Sequence, residues 1–280
     1  MSALASAVDL GTGRVTQLSV IRSEWIKLRS LRSTWYSLLA AVVMVVGLGT
    51  LFSALRAHRF NQDTGAIRGP GGFVGKIDLD PTLISLRGVF LAQLAIGVLG
   101  VLVITGEYST GMIRSSLAAV PHRTPVLVAK ALVFAVIAFV VCEAAAFAAF
   151  LLGQQALAST HLQASLSTPG AERAIFGAGL YLTLIGLFAV GLGFLIRSTA
   201  GAIATLVGIL LVLPLLTNAL PTPYSTDVAK YLPLNAGTQI MSVRHPDPSL
   251  LGPWAGMGIT ALYALVALIA GAVVLKRRDA

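Results

Sequence analysis

The sequence predicts an all-α polytopic membrane protein: six transmembrane helices, an amphipathic interfacial helix in front of them, and both termini in the cytoplasm. Composition is the first ground, since 56% of the 280 residues are hydrophobic and only 11% are charged. Mean hydropathy is +0.85, far from the balance of a soluble globular domain. The second ground is a set of six apolar runs, each close to the roughly 20 residues that a helix needs to cross a hydrocarbon core of about 30 Å. In lipid, apolar surface is satisfied without a large buried core, so one membrane domain suffices.

Taken in order, residues 1–17 lack the pattern of a secretory signal and read as a flexible tail. Residues 18–34 form the interfacial helix. Leu18, Ile21, Trp25 and Leu28 fall on one helical stripe, while Arg22, Lys27, Arg29 and Arg32 lie mainly away from it, as expected of a helix lying on an anionic surface. Six spans follow over 35–275: Trp35 to Leu55, Gly88 to Thr105, Ala131 to Leu152, Ile175 to Ile196, Ala200 to Leu220, and Trp254 to Leu275. The fourth and fifth are parted only by Arg197-Ser198-Thr199, a tight hairpin. Pro214 should kink the fifth span or free a carbonyl in it. Glycine pairs such as Gly177 and Gly179, or Gly252 and Gly256, permit close helix contacts without assigning any.

Orientation follows the basic residues near span ends. Segments 1–34, 106–130, 197–199 and 276–280 hold twelve Lys and Arg, against eight in the longer loops on the other side, where six acidic residues accompany them. The first set is therefore expected to face the cytoplasm. The net charge of +9 reads as topology rather than nucleic-acid affinity, because no basic groove with interleaved aromatics occurs.

Several chemistries find no residues. A phosphate-binding Gly-x-x-x-x-Gly-Lys-Ser/Thr loop is missing, so no ATP site is expected on this chain. The four histidines are scattered without metal-binding spacing, and the one cysteine, Cys142, lies in an apolar run, so neither metal nor cofactor is expected. Glu143 reads as the only acid inside a span. An ionisable group there costs at least about 2.5 kcal/mol on insertion scales. It either serves function or hydrogen-bonds helices together beside Ala144, Ala145, Ala146, Ala148 and Ala149.

The polar stretch 106–130, between the second and third spans, stands apart from this background. Met112, Ile113, Leu117 and Val120 fall on one side of a short helix, Arg114 and Ser115 elsewhere, and Pro121 ends it, which fits a short helix parallel to the membrane. The order Glu107-Tyr108-x-x-Gly111-x-x-Arg114-x-x-Leu117-x-x-x-Pro121-x-Arg123, then Ala129-Lys130, resembles the membrane subunits of ABC exporters of the type 2 permease family, notably actinobacterial ones. Arg22-Ser23-Glu24-Trp25-x-Lys27-Leu28-Arg29-Ser30 is similar to that family's entry helix, and Tyr231-Leu232-Pro233-x-Asn235-Ala236-Gly237 to its outer segment.

The resemblance implies a permease in the plasma (cytoplasmic) membrane that pairs with a second permease chain, as a homodimer, and binds two copies of a separate ATP-binding cassette subunit carrying ATP and Mg. It maps a coupling loop onto 106–126. Glu107, Arg114 and Arg123 would make polar contacts there, beside Tyr108, Gly111 and Pro121, and Met112, Ile113 and Leu117 would pack. It also maps short outer-leaflet, re-entrant-like helices onto 221–253. Gln93 and Asn218, with Glu143, are polar candidates for the path of an amphipathic drug, lipid or peptide moving outward. The rival expectation is a proton- or ion-coupled secondary transporter centred on Glu143, although no inverted repeat is visible.

Overall fold

A computed structural model describes residues 16–62, 67–68, 74–75, 80–113, 123–160, 163–217, 219–221, 224–243 and 249–277. Among the described residues, six helices are long and apolar enough to span a membrane: Arg32–Arg59, Val89–Ser109, Thr124–Thr160, Ala171–Ile196, Thr199–Thr217 and Pro253–Arg277. These are the first to sixth spans below. The entry helix, Gln17–Ser30, precedes them, with Thr16 accepting from Ser19 N at its start. Leu31, extended at φ −81°, ψ 117°, is the single hinge residue before the first span. The indole of Trp35 donates to Arg29 O at 3.0 Å across that hinge. Between the first two spans, Ile67–Arg68 pairs antiparallel with Val74–Gly75, a two-residue ladder that leaves the fold all-α.

Two expectations need correction here. The second span continues to Ser109, and the third helix starts at Arg123, so the stretch expected as a loop over 106–126 narrows, and Glu107 and Tyr108 are helical. Polar residues end a hydropathy run without ending a helix, whose hydrogen bonds carry on past the hydrocarbon. Glu143 is accordingly not the only acid in a spanning helix. The entry helix is also rotated from the expected stripe: its buried residues are Val20, Glu24 and Leu28, while Leu18 and Trp25 are 75% and 44% exposed. Outward apolar side chains are unremarkable beside lipid; the inward acid is the informative one.

The fourth span is the post of the bundle. In its most apolar stretch 72% of residues are buried within the protein, against 17% for the fifth span and 28% for the first and sixth. It packs on the second, third and sixth spans. Glycines make several of these approaches possible: a Cβ at Gly191 would lie 2.6 Å from Ala267 Cβ on the sixth span, and one at Gly193 would lie 2.9 Å from Ile104 Cβ on the second. The fifth span carries a π-helical stretch, Gly208–Val212, just before Pro214. A proline has no N–H to give the carbonyl four residues back, and the wider turn, in which Leu213 N reaches Gly208 O, takes up the disruption. The first span has a similar stretch at Val43–Leu48.

Past the fifth span lie Tyr224–Ala229, Pro233–Thr238 and the 3₁₀ turn Gln239–Met241. The last two bury Leu234, Ala236, Ile240 and Met241 against the fourth and sixth spans. A Cβ at Gly237 would strike the Tyr181 ring, and one at Gly256 would strike Ala236 O.

Candidate functional site

The entry helix, the second span and the third helix meet in a buried ionic cluster. Lys130 Nζ donates to Glu24 Oε2 at 2.5 Å and to Glu107 Oε1 at 2.8 Å. Lys27 Nζ donates to Glu24 Oε1 at 3.0 Å and reaches Glu107 Oε1 at 3.4 Å. Two carboxylates thus alternate with two ammonium groups, and the formal charge cancels. Lys130 is 2% exposed, Glu24 2% and Glu107 9%, so these pairs work where water screens them little. Partial burial alone would lower the Lys27 pKa, but the Glu24 hydrogen bond and the Glu107 and Glu24 charges outweigh it and hold the ammonium above the ordinary lysine value.

Local sequence explains how each member arrives. Val20, Glu24 and Leu28 are spaced i, i+4, i+8, one face of the entry helix; Val20 packs on Val126 and Ala129 of the third helix, which places Glu24 opposite Lys130. Gln17 Nε2 donates to Pro125 O at 3.1 Å and fixes the helix's other end. Glu107 Oε2 is buried and accepts no hydrogen bond among the described residues.

Beside the cluster, the turn between the fourth and fifth spans docks on the end of the second. Arg197 adopts the left-handed conformation at φ 59°, its guanidinium lies 5.1 Å from the Tyr108 ring centre, and Nη2 donates to Val274 O of the sixth span at 3.3 Å. Thr199 Oγ1 donates to Thr105 Oγ1 at 2.9 Å. The start of 110–122 therefore grows from a point to which the entry helix and four spans are tied. Of the expected coupling residues, Ile113 is 2% exposed while Met112 is 46% exposed, so these neighbours part rather than share a face. Gly111 takes φ 72°, as a turn leaving the helix requires. Arg114, Leu117 and Pro121 lie outside the described residues, and Arg123 opens the third helix. Arg22, Arg29 and Arg32 are exposed.

The sequence does not by itself mark Glu24 and Lys130 as site residues. Nothing in a single sequence joins positions 106 apart; the usable signal was an acid on a helix face that was otherwise apolar.

The opposite end is tied by neutral contacts and single charges. Asp80 caps Pro81–Ser85 and accepts from Val243 N at 2.6 Å. Gln154 Nε2 donates to Pro81 O at 3.0 Å and Ser85 Oγ at 2.8 Å while its Oε1 accepts from Ala164 N at 2.7 Å. Arg173 Nη2 donates to Ser242 O at 2.7 Å. Gln93, expected on a path, is instead fully buried, accepting from Tyr181 Oη at 2.5 Å and donating to Phe90 O at 2.8 Å. Its amide serves packing, because a buried amide needs partners on both sides. Asn218 lies outside the described residues. An apolar groove of about 330 Å³ runs between Tyr231 and the sixth span, lined also by Ile259, Leu262, Tyr263 and Val266.

Glu143 lies 19 residues from Thr124 and 17 from Thr160, about 28 and 26 Å along the helix, hence near its middle. Its Oε2 is buried without a hydrogen bond among the described residues, packed on Gly179 of the fourth span. Among the described residues no group of three His, Cys, Asp or Glu could hold a metal ion.

The family model for ABC-2 family transporter proteins matches residues 20–224, a stretch that takes in the entry helix, the first five spans and the whole ionic cluster. No curated protein matches the chain.

Proposed function

This chain belongs to the ABC-2 family of transporter proteins and is a membrane component of an ABC transporter; from that membership we propose that it is the permease of an ATP-driven exporter in the plasma membrane. Two copies of a separate ATPase subunit, holding ATP and Mg, would dock at 110–122 on the cytoplasmic side, and a second copy of this chain would complete the path. The cargo is an amphipathic drug, lipid or peptide, in keeping with the apolar groove on the sixth span.

The observation that carries this reading is the ionic cluster at the root of the docking stretch. Movement of 110–122 bears directly on Glu107 at one end of it and, through Arg123 and the turn beyond, on Lys130 at the other. Glu24 and Lys27 pass it to the entry helix, and one extended residue, Leu31, connects that helix to the first span. Tyr108 and Arg197 give a second route, to the sixth span. A nucleotide state on the partner can shift the permease only if these contacts differ in energy between its two states.

The test is co-purification. The chain should carry an ATPase subunit whose hydrolysis is stimulated by the permease, and Arg114→Glu should leave hydrolysis running while transport stops. If no ATPase associates, and a proton gradient alone drives transport that Glu143→Gln abolishes, the ion-coupled carrier replaces this reading.

A further inference from the structure

We infer that the seam between the third and fourth spans at Glu143 is a lateral recognition site for lipophilic cations arriving through the lipid phase. As a statement about cargo this rests on the permease reading; as a statement about binding it stands on the seam itself.

Glu143 sits near the middle of the third span on a partly exposed edge, with Val140 62% and Phe147 43% exposed beside it. Gly179 of the fourth span makes its position possible: a Cβ there would overlap Glu143 Oε2 and stand 2.9 Å from its Cα and 3.0 Å from its N. That oxygen is buried and accepts no hydrogen bond among the described residues. One turn away, Phe139 meets Phe176 edge to face, ring centres 5.6 Å apart and planes at 72°, and Phe176 is 44% exposed. An acceptor without a donor therefore lies next to an aromatic pair at a lipid-facing seam.

Among the described residues, the neighbouring helices supply no cation to this carboxylate. Lys130 is bonded to Glu24 and Glu107, Arg173 to Ser242 O and Arg197 to Val274 O, all at helix ends. A charged carboxylate in hydrocarbon is tolerated only with a partner. Inorganic cations must shed water to reach it, at prohibitive cost. A cation whose charge is spread or shielded by apolar groups partitions into the bilayer and reaches the seam directly, where ring faces add their attraction for positive charge. Neutral amphipaths gain only apolar contact.

The experiment uses the chain alone in phosphatidylcholine nanodiscs, without nucleotide, titrated with tetraphenylphosphonium and, separately, with neutral triphenylphosphine oxide, after subtraction of empty discs. Saturable phosphonium binding is expected in the parent and in Glu143→Asp. It should weaken about tenfold or more in Glu143→Gln, and measurably in Phe139→Ala, while the oxide responds to none of these changes. Equal phosphonium affinity in the parent and Glu143→Gln overturns the proposal, as does absence of saturable binding to the parent. Failure here leaves ATPase association untouched, and failure of that association leaves this binding untouched.

Discussion

Lys130 holds two carboxylates apart at 2.5 and 2.8 Å with almost no water beside it. Removing its ammonium leaves Glu24 and Glu107 with Lys27 alone between them, one buried negative charge uncompensated, and breaking such a pair from one side costs about 3–5 kcal/mol. Lys130→Met should therefore lower the unfolding midpoint in detergent clearly, and adding Glu24→Gln should recover part of the loss, since one stranded charge goes with its partner. A strictly additive double variant would show that the two do not interact. Lys27 makes a pH prediction. Its pKa is raised in the folded chain, so its contribution is complete below the ordinary lysine value of about 10.4 and fades as pH rises through the higher folded one. Hydrogen exchange of the entry helix should stay slow and flat from neutral pH to about 10, after correction for intrinsic rates, and accelerate only beyond it; in Lys27→Met that alkaline step should vanish. At this scale the sequence was half legible. Glu107 stands out within a motif, but Glu24 and Lys130 become a site only through a helix rotation and the third span that bring them together, and the burial of Gln93 against Tyr181 has no signal in the sequence.

The six spanning helices were readable because hydrocarbon allows few alternatives: a run of apolar residues must be helical to satisfy its own backbone. Their ends were not readable to the same degree, since hydropathy marks the membrane and hydrogen bonding marks the helix, and the second and third helices outrun their apolar runs by a turn or more. The outer segment shows a similar limit. The family resemblance placed short helices there, whereas the reason for Ala236-Gly237 lies on other elements, in Tyr181, Thr260 and Gly256. Gly256→Ala would press a methyl group onto Ala236 O, and overpacking of this kind costs about 1–3 kcal/mol. The variant should melt earlier than the parent, and Gly258→Ala, which meets nothing within 4 Å, should not. Equal melting of the two variants would mean that the outer segment does not seat as described.

Across the whole molecule burial is uneven, with a fourth span enclosed on most sides and first, fifth and sixth spans largely open. Lipid can cover such faces, and so can a second copy, as the permease reading requires. In mild detergent the chain should have the mass of two copies plus micelle; a single-copy mass that persists with the ATPase subunit bound would argue against the paired permease. Composition, span number and the cytoplasmic expectation for the basic ends came from the sequence alone, because partition between water and lipid depends on residue type and not on neighbours. Tertiary structure decided which polar residues engage one another: the Glu24–Lys130–Glu107–Lys27 cluster, the Arg197 brace and the unbonded Glu143 oxygen. Those depend on helix rotation and on side-chain meetings across long sequence separations, and only the packed bundle fixes both.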